Sequence, residues 1–422
     1  MGWHPHLWHP TTQVATSPVP LQVRAARGCE LELADGRRLI DAISSWWVTL
    51  HGHAEPAIAA AVARQAQQLE QVIFANFSHE PAEQLATRLS ALTGLQRLFF
   101  SDNGSTAIEV ALKIAWQWWA NQGQPRQQLI AFDGAYHGDT FGAMAVGARS
   151  LFTAPYESLL FDVCRVGWPH THWGDTSVEQ REQKALSQLD AALQTPTAAV
   201  ILEPLLQGAS GMRLVRPAFV RAVAERARAS GALLIADEVM TGFGRTGALF
   251  ACQKVGIQPD LMALSKGLTG GFLPMGVTMA SERLYQGFVG ERPEITFFHG
   301  HSFTANPLGC AAALASLDLL QQQPERFQQF ASRHTPWLEQ LAQHRRVMRP
   351  RVLGTIAAFD VELGENGYLN PVGKQIQRLC LAQGVYLRPL GNTVYLLPPL
   401  CISDAQLQRC YDALTQALDG LG

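Results

Sequence analysis

Apolar residues recur in two rhythms along this 422-residue chain. Short unbroken apolar runs at 98–100, 129–132, 198–202, 233–236, 261–264 and 276–280 predict strands buried on both faces. Between them lie stretches with helical spacing: 56–71, with proline in its first turn, then 81–92, 106–121 and 218–230. This alternation runs over residues 51–315 and predicts an α/β unit with a mainly parallel sheet covered on both faces. Residues 1–50 differ, with Pro5, Pro10, Pro18 and Pro20 ahead of strand-like runs at 21–23, 30–33 and 37–40. Asp35-Gly36 between the last two reads as a hairpin turn. From residue 316 to 422 the pattern changes again. Helical stretches at 314–322 and 325–343 precede strand pieces at 356–361, 385–388 and 393–397, and a helix at 403–418 closes the chain. The expected organisation is a large domain over 51–315 and a small α+β domain over 316–422, completed by the N-terminal segment 1–50.

Composition narrows the function classes. At 47% hydrophobic and 16% charged residues the chain can bury a sizeable core. A formal net charge of −2 gives no sequence-independent grip on nucleic acid. Seven cysteines, an odd number without a CxxC pair, predict reduced thiols in a cytoplasmic protein rather than disulfides or a zinc site. No apolar stretch reaches the length of a membrane span, and Met1-Gly2-Trp3-His4-Pro5 lacks the basic and apolar regions of a secretion signal.

The candidate chemistry centres on Lys266, which follows the apolar run 261–264 and precedes Gly267. An amine at the end of a buried strand is poorly solvated and well placed to form a Schiff base with an aldehyde cofactor. Asp237 ends the run 233–236, 29 residues upstream, where its carboxylate could hold a protonated pyridine nitrogen. Together they suggest pyridoxal 5′-phosphate chemistry. Gly104 and Ser105 open a helix after a strand, as a phosphate site requires. Tyr136 offers a ring for stacking on a planar cofactor. Arg245, among three glycines in Thr241–Gly247, could grip a carboxylate, as could Arg388 just before Pro389. His299 and His301 have the look of a metal pair, but no third ligand lies near them in sequence. A phosphate contact from Ser302 is the better use of that segment. Singly, each residue has an ordinary role: a snorkelling lysine, an N-cap, a core tryptophan. Their joint occurrence carries the reading.

Together these pieces resemble the class III aminotransferases of pyridoxal-phosphate fold type I. The matching stretches are Ser101-Asp102-Asn103-Gly104-Ser105-Thr106, Tyr136-His137-Gly138, Glu203-Pro204, Asp237-Glu238 through Gly247, Ser265-Lys266-Gly267 and Asn306-Pro307-Leu308. The resemblance implies a large domain with a mainly parallel seven-stranded sheet, a small α+β domain, and a homodimer with active sites at the subunit interface. Further pieces, Ser44-Ser45-Trp46-Trp47, His51-Gly52 and Arg388-Pro389, are similar to members that serve biotin biosynthesis. That likeness implies amination of 8-amino-7-oxononanoate to 7,8-diaminononanoate. By matching position it implies Lys266 as the cofactor-bearing amine, with Asp237 and Tyr136 beside it. Gly104, Ser105, His301 and Ser302 would hold the cofactor, the last two reaching across the dimer. Trp47, Tyr136, Gly300 and Arg388 would contact substrate. Two positions depart from the pattern: Thr11 stands where a tyrosine usually follows Trp-His-Pro, and Ser302 replaces a threonine. Thr11 bears on the amino donor, S-adenosylmethionine or lysine. The rival readings are another class III transaminase acting on ω-amines, an aminomutase, and a non-catalytic pyridoxal-phosphate-sensing module, which would need a basic DNA-binding extension.

Overall fold

The computed structural model describes residues 2–364 and 367–421. Three N-terminal strands, β1 (Val23–Arg27), β2 (Glu30–Leu33) and β3 (Arg38–Asp41), form an antiparallel meander. The central region contributes β4 (Arg97–Ser101), β5 (Gln128–Phe132), β6 (Cys164–Val166) and β7 (Thr197–Leu202). A short hairpin of β8 (Leu206–Gln207) and β9 (Arg213–Leu214) follows, then β10 (Leu233–Asp237), β11 (Leu261–Leu264) and β12 (Gly276–Ala280). Toward the C-terminus lie β13 (Val347–Leu353), β14 (Ile356–Val361), β15 (Val385–Tyr386) and β16 (Thr393–Leu396).

The central sheet has seven strands in the order β4-β12-β11-β10-β7-β5-β6. Strands β11, β10, β7, β5 and β6 run parallel, and β12 is antiparallel to both its neighbours. Every residue of β7 and β10 is buried. Both faces are covered, so these strands read as continuous apolar runs rather than alternating ones. The strand of Cys164–Val166 escapes the sequence pattern because it is three residues long and carries an arginine at its centre.

The N-terminal segment and the C-terminal region share a sheet, β1-β2-β3-β15, in which β15 pairs parallel with β3. A second small sheet is β13-β14-β16. The boundary expected between residues 315 and 316 falls inside the helix Pro307–Gln322, which packs against the helices Pro56–Ala66 and Glu80–Thr93. The helix expected over 56–71 stops at Ala66, and the one expected over 325–343 divides at Gln329 into Glu325–Gln328 and Phe330–Leu341.

One contact ties the sheet to the site. Gly276, at the start of β12, pairs with Ser101 at the end of β4, and Asn103 lies two residues further on. Asn103 caps the helix Gly104–Asn121: its side chain accepts from the Thr106 N–H at 3.0 Å, while Thr106 Oγ1 accepts from the Asn103 N–H at 3.1 Å. A Cβ on Gly276 would overlap the Asn103 carbonyl. Gly276→Ala should therefore shift this helix start and cost roughly 1–3 kcal/mol. Thermal melting measures it, and an unchanged melting temperature contradicts the tight contact.

Candidate active site

The parallel strands are buried along their lengths, so chemistry is confined to their carboxyl ends. A cleft of about 670 Å³ opens there, lined by Trp47, Gly104, Ser105, Tyr136, Asp237 and Lys266 together with His137 and Glu203. It unites six residues singled out from sequence, drawn from stretches as far apart as Trp47 and Lys266.

Lys266 leaves β11 in the left-handed region, with φ of +46°. That conformation is costly for a residue bearing a Cβ and marks a position held by its surroundings. The preceding Ser265 Oγ donates to the Met275 carbonyl at 2.7 Å, and the turn Lys266–Thr269 follows directly. The Lys266 amine sits 5.4 Å from the centroid of the Trp47 ring. Burial pushes its pKa below the usual lysine value, against the opposing pull of Asp237 and Glu203. The neutral, nucleophilic form is thereby favoured.

Asp237 ends β10 and is 4% exposed. One carboxylate oxygen lies 2.6 Å from His137 Nδ1 and the other accepts the Val239 N–H at 3.0 Å. Glu203, just past β7, accepts from the Tyr136 N–H at 3.0 Å and the Gly208 N–H at 3.1 Å. Burial pushes the Glu203 carboxyl up to about 7; His137 opposes the rise and Asp237 adds to it. Tyr136 is 41% exposed at the mouth of the cleft, and burial of its phenol raises that group's pKa.

At the other end, the cap of Asn103 leaves the N–H groups of Gly104 and Ser105 without intrahelical acceptors. Gly138, with φ of +128°, presses on this turn so closely that a Cβ would overlap Ser105. The Asp139 N–H donates to Ser105 Oγ at 3.2 Å.

Trp47 is 6% exposed, and its indole N–H donates to the Tyr395 hydroxyl at 2.9 Å. Its loop is strained, with φ of +53° at Ser44, +61° at Ser45 and +67° at Trp47. Asp41 stabilises it by accepting from the N–H groups of Ile43 at 3.1 Å and Ser45 at 2.6 Å. Trp46 points outward, 45% exposed, with the Arg388 guanidinium 4.5 Å from its ring centroid. Arg388 Nη2 donates to Thr11 Oγ1 at 2.8 Å, joining two predicted substrate residues from opposite ends of the chain.

Six predicted residues do not line this cleft: Thr11 and Arg388, which meet beside Trp46, together with Gly300, His301, Ser302 and Arg245. Gly300, His301 and Ser302 lie on a surface segment between Phe298 and Phe303, which are 75% and 63% exposed. Arg245, expected to grip a carboxylate, is 2% exposed and donates to the carbonyls of Pro398 at 3.1 Å and Trp47 at 3.4 Å. It braces the tryptophan loop from behind. His137 and Glu203 entered the sequence reading only as parts of motifs; no spacing rule announces either, because their partners are 100 and 67 residues away.

A lysine, a histidine-anchored aspartate and a helix-start cradle at the edge of such a sheet define a pyridoxal-phosphate enzyme of fold type I. The family model for class III aminotransferases matches residues 11–418, and the chain belongs to that family. It is 58% identical to adenosylmethionine-8-amino-7-oxononanoate aminotransferase of Synechococcus elongatus, covering 99% of this chain and all of that one. It is 37% identical to the protein of the same name from Geobacter sulfurreducens, over 98% of this chain and 95% of that one. Among solved structures, that of the enzyme of this name from Methanocaldococcus jannaschii superposes with a TM-score of 0.91 at 31% identity, covering 98% and 97% of the two chains. A pyridoxal-phosphate-bound amine transaminase from an uncultivated Pseudomonas species superposes with a TM-score of 0.93 at 28% identity over the whole of both.

The cofactor is pyridoxal 5′-phosphate, and the residues present fit it. Two small residues at a helix start suit a phosphate, and a buried carboxylate suits a protonated ring nitrogen. His137, which lines the cleft, has its Nε2 buried and without a hydrogen-bond partner, so the site still has a polar group to satisfy.

The pKa of Glu203 gives a test with a definite sign. Between its ordinary value of 4.5 and about 7, the native cofactor-free protein holds a proton that the unfolded chain has released. Its contribution to stability therefore falls as pH rises through that window. His51 and His334, pushed down to about 4 by burial, act in the opposite sense. The readout is thus the difference between the native protein and Glu203→Gln. That difference in melting temperature should change progressively between pH 5 and 7; a pH-independent difference contradicts the assignment.

Proposed function

We propose that this aminotransferase converts 8-amino-7-oxononanoate to 7,8-diaminononanoate, in the cytoplasm, with S-adenosylmethionine as amino donor. The reading is supported by the name shared by its relatives at 58% and 37% identity. The geometric observation that carries it is the tryptophan loop, which bears Trp47 5.4 Å from the Lys266 amine and Trp46 beside the Arg388 guanidinium. Tyr395 is bonded to Trp47 from the core, and Thr11 is bonded to Arg388. An acceptor with a reacting carbon at one end, an apolar chain and a terminal carboxylate suits an amine and a guanidinium joined by one aromatic loop.

When bound, pyridoxal 5′-phosphate supplies an aldehyde that captures amines and a pyridinium that stores electron density. Lys266, its pKa lowered by burial, acts as nucleophile and then moves the substrate proton as general base and acid. Asp237, oriented by His137 and by the Val239 N–H, would pair with the ring nitrogen. Gly104 and Ser105 hold the phosphate. Tyr136 and Trp47 shape the walls and exclude water. Arg388 binds the distal carboxylate.

The chain works as a homodimer in this reading. His301, Ser302 and Gly300 reach the neighbouring subunit's cleft, since they do not line their own. Phe298 and Phe303, and the nearby exposed Ile73 and Phe77 (63% and 59%), supply apolar surface for such an interface. The side chain of Gln71 joins the two patches by donating to the Ser302 carbonyl at 2.9 Å.

Two outcomes test the substrates. Arg388→Ala should raise KM for 8-amino-7-oxononanoate by about ten- to a hundredfold, as expected for loss of a charged hydrogen-bond pair. It should leave the half-reaction with the donor intact in stopped-flow absorbance; loss of both half-reactions together contradicts the assignment. With the native enzyme, S-adenosylmethionine alone should bleach the bound cofactor's absorbance, and 7,8-diaminononanoate should form on adding acceptor. Bleaching by lysine but not by S-adenosylmethionine assigns the donor differently.

A further inference from the structure

Seven cysteines are free in this chain, and two of them meet. Cys29 lies in the turn between β1 and β2, and Cys401 lies between β16 and the helix Asp404–Asp419, 372 residues further on. Their sulfurs are 3.4 Å apart. By contrast, Cys310 and Cys380 donate to the carbonyls of Ala305 and Ala413. Cys29 is 3% exposed and part of the core, whereas Cys401 is half-buried and the more accessible residue of the two.

The surroundings press the pair together. Gly28 and His53 bridge two segments through hydrogen bonds of 3.0 and 2.7 Å. Gly52, at φ of +107°, approaches Cys401 so closely that a Cβ would lie 2.6 Å from its sulfur. The Leu400 N–H donates to the Leu50 carbonyl at 2.8 Å, and the Asp41 N–H to the Cys29 carbonyl at 2.7 Å. The two sulfurs therefore join the N-terminal hairpin to the C-terminal segment beside the loop that carries Trp46 and Trp47.

We propose that Cys29 and Cys401 form a reversible intramolecular disulfide when the protein meets a small-molecule disulfide oxidant such as glutathione disulfide. The chemistry is thiol–disulfide exchange in two steps. Cys401, as thiolate, attacks one sulfur of the oxidant, breaks its S–S bond and releases one glutathione thiolate. Cys29 then attacks the Cys401 sulfur, displaces the second glutathione and closes the protein disulfide. Both cysteine protons end on the two released glutathione thiols. Two electrons pass from the cysteines to the oxidant, so the exchange balances. The sulfurs must close by roughly 1.4 Å to reach bonding distance. The environment supports the order of attack. The contact between the two sulfurs lowers the pKa of Cys401, while the same contact and burial raise that of Cys29. The proposal concerns a site outside the cleft and does not depend on which amine donor or acceptor is used.

The test uses the cofactor-loaded native protein. It is incubated with glutathione disulfide, free thiols are blocked with iodoacetamide, and the protein is digested without reduction for peptide mass mapping. The expected result is one crosslinked pair containing Cys29 and Cys401, lighter than the two reduced peptides by two hydrogen atoms and reopened by dithiothreitol. In Cys401→Ser, Cys29 should remain reduced because it cannot be reached from solvent. A glutathione adduct left on Cys401, a crosslink involving any other cysteine, or two free thiols after the incubation would each overturn the proposal.

Discussion

The carboxylate of Asp237 is fixed from two sides, by His137 at 2.6 Å and by the Val239 N–H at 3.0 Å, inside a wall that leaves it 4% exposed. A buried carboxylate is costly unless its lone pairs are met, and these two contacts meet them. This one constraint organises the site. It orients His137, whose other nitrogen is buried without a hydrogen-bond partner, and it sets a carboxylate in the same cleft as the Lys266 amine. The parallel pairing of β10 with β11, Asp237 level with Ala263, delivers both residues to the same edge of the sheet.

Around that axis the rest of the chain acts as support. The helix start at Gly104 and Ser105 is set by the Asn103 cap and by the close approach of Gly276 and Gly138. The tryptophan loop is built from left-handed residues that would not hold the conformation alone. Asp41 holds it from below, Arg245 from behind and the Leu397 carbonyl through Ser44 Oγ at 2.7 Å. The N- and C-terminal strands share a sheet because this loop needs both: β3 leads into it, and the residues just past β16 close over it.

Much of this was legible in the sequence. Strands buried on both faces are unbroken apolar runs, so six of the seven central strands stand out; Cys164–Val166 is too short and too polar to do so. Strand β13 hides for a related reason, since Val347–Leu353 contains two arginines and a proline. The helix Val372–Ala382 was also not anticipated. Lys266, Asp237, Gly104 and Ser105 could be read because each sits where a periodic element ends. His137 and Glu203 could not be singled out, because their roles arise only from contacts between distant strands. The burial of Arg245 could not be read, because it follows from the glycines at 244 and 247, both at positive φ, and from carbonyls contributed by distant segments. Thr11 and Arg388 were each read as substrate residues, but their hydrogen bond joins positions 377 residues apart, which no local pattern can show.

The central claim is that Lys266 is the amine that bears the cofactor. The most direct measurement is borohydride reduction of the yellow holoenzyme followed by peptide mapping. The account predicts a phosphopyridoxyl group on the peptide containing Lys266 and on no other, and its loss in Lys266→Ala. A label on a different lysine, or no label despite bound cofactor, contradicts it.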